Sequence, residues 1–95
     1  EVEAVDFSYT GLDALEVTAG ETVAFTMRNA GTVEHELEVF EPDGEVLGEI
    51  GPTAVGADGT VLLTLDEPGT YRYVCGIDDH EAQGMAGTFT VSPAD

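Results

Sequence analysis

Gly69-Thr-Tyr71-Arg-Tyr73-Val-Cys75, continuing as Gly76-Ile-Asp-Asp-His80-Glu-Ala-Gln-Gly-Met85, is the stretch on which the reading of this chain turns. Its first half alternates: Tyr71, Tyr73 and Cys75 share one parity, and Arg72 and Val74 the other. A period of two marks a half-buried strand, with Cys75 facing the core at the strand's end. Its second half loses the alternation and reads as a loop. That loop gathers the only cysteine, one of two histidines and one of two methionines into eleven residues.

The same alternation recurs on either side. Val23, Phe25 and Met27 alternate with Ala24, Thr26 and Arg28. His35, Leu37 and Val39 alternate with Glu34, Glu36 and Glu38, and Phe89 and Val91 with Thr88 and Thr90. Residues 2–9, 14–18, 45–50 and 60–65 read as further strands, and 51–58 as a loop. Turn signals fall at Ala19-Gly20, Asp43-Gly44, Asp58-Gly59 and Pro68-Gly69. No ten-residue segment carries a helical period. The expected fold is all-β, a Greek-key β-sandwich of seven to eight strands in a single domain, residues 1–95. Parity directs His35 inward near a strand start and Cys75 inward at a strand end. Met85 precedes the last strand in phase with Phe89 and Val91. The loop returns His80 to the same end, and Met27, in mid-strand, is core filler.

Twenty acids face two arginines and no lysine, a net charge of −18. Binding nucleic acid or an anionic membrane surface needs lysine and arginine, so neither is expected as a partner. The acids are scattered through a chain that is 42% hydrophobic, which indicates a folded domain with an acidic surface. Screening at molar salt would relieve the self-repulsion, so the composition reads as halophilic. No apolar run is long enough to span a bilayer, and no basic segment followed by an apolar run opens the chain, so neither a span nor a signal peptide is expected within it. A chain opening at Glu1 reads as a mature form or an excised domain.

Taken singly, Cys75, His35 and Met85 are weak signals, since buried Cys and Met usually only fill space. Together, one thiolate, two imidazoles and one thioether match the donor set of a type 1 (blue) copper electron-transfer site. Soft sulfur suits Cu(I), and imidazole suits both oxidation states. A Cys75 nucleophile paired with a histidine leaves Met85 and the C-x4-H-x4-M spacing without a role. A copper carrier or sensor without electron transfer needs the same donors and stays open.

Four motifs add a family resemblance. Ala19-Gly-Glu-Thr-Val-Ala-Phe25, Asn29-Ala-Gly31 with His35, Gly69-x-Tyr71-x-Tyr73-x-Cys75 and Gly84-Met-x-Gly87-x-Phe89-x-Val91 resemble the cupredoxins, and among them halocyanin-type proteins of salt-loving microbes. The resemblance covers nearly the whole chain. It implies one copper ion on His35, Cys75 and His80 with Met85 axial, and a non-enzymatic, monomeric electron shuttle. It also implies a redox donor and acceptor docking near His80, and a location outside the cytoplasmic membrane, with any anchor in a removed segment. The docking patch would comprise Ile77, Ala82, Met85, Ala86 and Val33, rimmed by Asp78, Asp79 and Glu81. Two positions depart from the family. Glu36 stands where an asparagine often ties the ligand loops, and its parity directs it outward. Asp79 stands where glycine often precedes the second histidine.

Stability should depend on salt. Raising NaCl or KCl from about 0.05 to 2 M shrinks the screening length to a few ångströms and should raise the unfolding midpoint of the metal-free chain. A midpoint flat or falling in both salts would remove the halophilic reading.

Overall fold

Among the described residues nine short strands pair as the period-of-two pattern requires. The structure, a computed structural model, describes residues 2–5, 8–12, 15–77, 80–81 and 83–94. Its strands are β1 (Val2–Val5), β2 (Ser8–Thr10), β3 (Val17–Thr18), β4 (Glu21–Asn29), β5 (His35–Phe40), β6 (Val46–Thr53), β7 (Asp58–Leu65), β8 (Gly69–Val74) and β9 (Ala86–Ser92). They form a four-stranded sheet, β2-β1-β4-β7, and a five-stranded sheet, β3-β9-β8-β5-β6. The connections β4–β5, β6–β7 and β7–β8 cross from one sheet to the other, as in a Greek-key sandwich. Among the described residues no helix is long and apolar enough to cross a membrane.

Nine strands exceed the seven or eight expected because residues 2–9 are not one strand. The chain reverses after Val5, and Ala4 then pairs with Tyr9 in an antiparallel ladder. Of the described residues 15–18 only Val17 and Thr18 pair, in parallel with β9. The 51–58 loop is shorter than its glycines and proline suggest, because β6 runs on through Pro52 to Thr53 and pairs Thr53 with His35. Proline lacks the N–H that a central strand must donate, but β6 lies at the sheet edge, where that donor is dispensable.

The inward parities meet between the sheets. Phe25 and Met27 of β4 and Leu63 and Leu65 of β7 pack against Leu37 and Val39 of β5, Tyr71 and Tyr73 of β8, and Phe89 and Val91 of β9. Phe89 is the hub of the aromatic cluster: Tyr71 stacks on it at 5.4 Å between centroids, and Phe25 lies 6.0 Å away. Each such side chain contributes roughly 1.5–3 kcal/mol on burial. The Tyr71 hydroxyl donates to the Glu67 carbonyl at 2.8 Å and pins the β7–β8 corner. Tyr73 lies over Gly87, its ladder partner, because only glycine leaves room for the ring.

Asn29 ends β4 fully buried, and its amide organises the segment leading to His35. Nδ2 donates to the carbonyls of Val33 and Thr53, both at 2.9 Å, and Oδ1 accepts the Gly31 N–H at 2.9 Å. One side chain thus ties the β4–β5 loop to the end of β6, where Thr53 pairs with His35.

Two substitutions test this frame. A Cβ at Gly87 would lie 2.6 Å from Tyr73 Cζ, so Gly87→Ala should destabilise the fold by about 1–3 kcal/mol, the usual overpacking cost. Asn29→Ala leaves two carbonyls and an N–H without their side-chain partner and should lose about 2–4 kcal/mol. Urea unfolding of the metal-free chain measures both, and an Asn29→Ala midpoint equal to wild type would show that water replaces the amide.

Candidate metal centre

Strand register brings the expected donors together. β5 lies between β6 and β8, and Glu38 pairs with Val74 across the β5–β8 ladder. His35 at the start of β5 and Cys75 just past the end of β8 therefore share one end of the sandwich, both inward and both fully buried. The donor atoms of His35, Cys75 and His80 lie within 4.8 Å of one another. Cys75 Sγ is 3.5 Å from His80 Nδ1, and the two imidazole centroids are 5.0 Å apart. Three donors arranged around one ion at ~2.1 Å would be ~3.7 Å apart, so the set fits a single metal. The buried His35 Nδ1 takes no hydrogen bond among the described residues, which suits a nitrogen that binds a metal.

The loop is held by its own backbone. His80 N–H donates to Ile77 O at 3.0 Å, Met85 N–H to His80 O at 3.1 Å, and Cys75 N–H to Met85 O at 3.0 Å. These bonds bring Met85, fully buried, back beside both Cys75 and His80. Gly84 makes the return possible: its φ of 122° lies in a region that residues with a side chain avoid.

Glu36 does turn outward, yet it ties the two donor loops. Its Oε1 accepts the Gly76 N–H at 2.9 Å, doing for this chain what the family's asparagine amide does. Its backbone N–H lies 3.5 Å from Cys75 Sγ, within reach of a sulfur acceptor. Its carbonyl accepts the Tyr9 hydroxyl. The phenol of Tyr9 is pushed well above its ordinary range, first by burial and then by the nearby Cys75. Glu38 is also raised above the usual carboxylate range, by burial first and then by Glu36 and Glu49.

The surface near the centre differs from expectation in several places. His80 is only 5% exposed, and Met85 is buried and cannot form part of a surface patch. Ala86 and Val33 are exposed and Ile77 is half-buried. Val55, unforeseen from sequence, is 54% exposed on the segment that Asn29 anchors through Ala57 and Gly56. Its signal was the Val in a Gly- and Ala-rich loop, which carried no sign of where that loop would pack. Asp78, Asp79 and Ala82 lie outside the described residues. Glu81 is not a free carboxylate: Arg72 pairs with it, and the same guanidinium lies 5.4 Å from the Phe40 ring centre.

Comparison with known proteins agrees with this architecture. Residues 1–91 match the family model of the cupredoxin-like domain. The chain is 37% identical over 82 residues to a plastocyanin of Prochlorothrix hollandica, covering 82% of this chain and 59% of that protein. It is 32% identical over 80 residues to auracyanin-B of Chloroflexus aurantiacus, covering 81% of this chain and 34% of that protein. It therefore spans between a third and three fifths of the curated relatives it matches. The solved structure of dithionite-reduced auracyanin from Roseiflexus castenholzii superposes with a TM-score of 0.86 at 21% identity, covering 97% of this chain and 94% of that one. A nine-stranded sandwich with these donors at one end, matched by the family model over nearly its whole length, belongs to the cupredoxin-like family.

Proposed function

We propose that this chain is a one-electron carrier in which His35, Cys75, His80 and Met85 would hold a single type 1 copper ion. It passes electrons between a redox-protein donor and acceptor that dock near His80. The observation that carries the reading is the convergence of the three buried donors within 4.8 Å at one end of a hydrogen-bonded sandwich. Copper supplies the couple, cycling between Cu(II) and Cu(I) on this mixed soft and borderline donor set.

The chain's own residues do the rest. Cys75 binds as thiolate, and the Glu36 N–H at 3.5 Å offsets part of the sulfur's charge. His35 is fixed by its pairing with Thr53, and Met85 by its bonds to Cys75 and His80, so the donors need not move when an electron arrives or leaves. His80, at 5%, is the most exposed of the four and is the exit. Val33, Val55 and Ala86 offer apolar contact for a partner. We read the location as extracytoplasmic from the family resemblance, and the habitat as salt-rich from the charge of −18.

The test is titration of the reduced, metal-free chain with Cu(II), followed by optical and EPR spectroscopy. One equivalent should bind with an intense visible band. Cys75→Ser should abolish the band, while Met85→Leu should keep it and raise the midpoint potential. A band that survives in Cys75→Ser would sink the assignment.

A further inference from the structure

Tyr9 stands on β2, the outermost strand of the four-stranded sheet, yet its hydroxyl ends beside the donors of the five-stranded one. Its ladder partner is Ala4, small and fully buried, so the ring has room to lean into the sandwich. There it meets Tyr73 edge to face, with centroids 5.6 Å apart and planes at 75°. Tyr73 shares the inward parity of Cys75 on the same segment, so Tyr9 packs against the stretch that carries the sulfur. The hydroxyl donates to the Glu36 carbonyl, with Cys75 close to the phenol.

The backbone of Glu36 depends on such partners. Among the described residues Glu36 belongs to neither ladder of β5. Toward β6 the register steps from His35↔Thr53 to Leu37↔Ile50, so Glu36 faces both Gly51 and Pro52, an irregularity of the bulge kind, and Pro52 has no N–H to offer. Toward β8 pairing begins only at Glu38↔Val74, where β8 ends. One further step would set Glu36 opposite Gly76, but the Gly76 N–H goes to the Glu36 carboxylate and not to its carbonyl. The Glu36 N–H instead lies 3.5 Å from Cys75 Sγ. Backbone groups outside a ladder are fixed by whatever else they bond to, and for this carbonyl that is Tyr9.

We propose that Tyr9 is a positioning residue for the Cys75 sulfur: its hydroxyl holds the Glu36 carbonyl and so keeps the Glu36 N–H aimed at Sγ. The redox half of this rests on the reading of Cys75 as a copper-binding thiolate. Only φ and ψ of Glu36 separate its N–H from its carbonyl, so a carbonyl held from the opposite sheet limits where the N–H can turn. A donor aimed at the sulfur favours the state in which the sulfur carries more negative charge, the reduced one, and so raises the midpoint potential. Burial keeps the Tyr9 phenol protonated, so its hydroxyl stays a donor.

Tyr9→Phe keeps the ring against Tyr73 and removes only the hydroxyl. The first measurement needs no copper: amide hydrogen exchange of the full chain, followed by NMR in the metal-free state. The Glu36 N–H should exchange about tenfold faster than in wild type, beyond any change shared by the amides of β4 and β7. The second is the midpoint potential of the copper-loaded chain, which should fall by about a threefold shift toward Cu(II), roughly 30 mV at 59 mV per tenfold. Tyr71→Phe removes the hydroxyl bonded to Glu67 at the other end of β8 and should produce neither effect. Tyr9→4-aminophenylalanine restores a donor and should recover both readings. An unchanged Glu36 amide in Tyr9→Phe, or the same effects from Tyr71→Phe, overturns the proposal. Faster exchange with an unchanged potential overturns its redox half. A chain that takes up no copper sinks the carrier reading, and amide exchange still decides whether Tyr9 holds Glu36.

Discussion

Bringing two imidazoles and a thiol into one dry pocket is the constraint on which the rest of this fold depends. Buried polar groups cost free energy unless something satisfies them, and three of them within 4.8 Å cannot all be satisfied by one another. The frame must therefore hold them by other means. It does so with β-ladder bonds on His35, with backbone bonds among Cys75, His80 and Met85, and with the Asn29 amide that anchors the segment before β5. The aromatic packing of Phe25, Tyr71, Tyr73 and Phe89 supplies stability that offsets this cost. Placing the pocket at the strand ends leaves that packing uninterrupted below it.

Much of this was legible in the sequence because a period of two encodes direction. The parities of His35, Cys75 and Met85 were enough to bury all three, and the same rule turned Glu36 outward. Direction, however, does not determine reach. Glu36 faces out and still bends back to the Gly76 N–H, since a glutamate has one more rotatable bond than the asparagine it replaces. Asn29 was visible as part of a motif, but its partners Val33 and Thr53 lie four and twenty-four residues away, and only the fold makes them neighbours. Pairing is equally silent at this level: nothing in the alternation of residues 2–9 says that Ala4 will face Tyr9, or that β6 will use an edge to carry Pro52.

Charge is distributed unevenly, and the unevenness follows from the architecture. The face carrying Thr22, Thr26, Thr60 and Thr64 is held by hydroxyl pairs that need no charge, whereas on the opposite sheet burial, and then the nearby Glu36 and Glu49, raise Glu38. A carboxylate raised in this way opposes folding at neutral pH; the penalty shrinks as pH falls through the folded value and is gone below the unfolded one. The cost is borne beside the metal centre, where Glu36 also supplies a structural bond. Repulsion there is the consequence of using a charged side chain for a positioning role.

Arg72 shows how a chain with two cations spends one of them. Its ion pair with Glu81 joins two half-exposed side chains, and such a pair contributes roughly 0–1 kcal/mol, less still at molar salt. The stack on Phe40 adds about 0.5–1 kcal/mol and is less sensitive to ions because the ring carries no net charge. Neither term is large enough to fold the loop, which its backbone hydrogen bonds already close. Together they hold the Arg72 guanidinium between Glu81 and the Phe40 ring. At high salt the electrostatic share fades and the stacked share stays, so the position of the guanidinium, and not the strength of the ion pair, is what the loop retains.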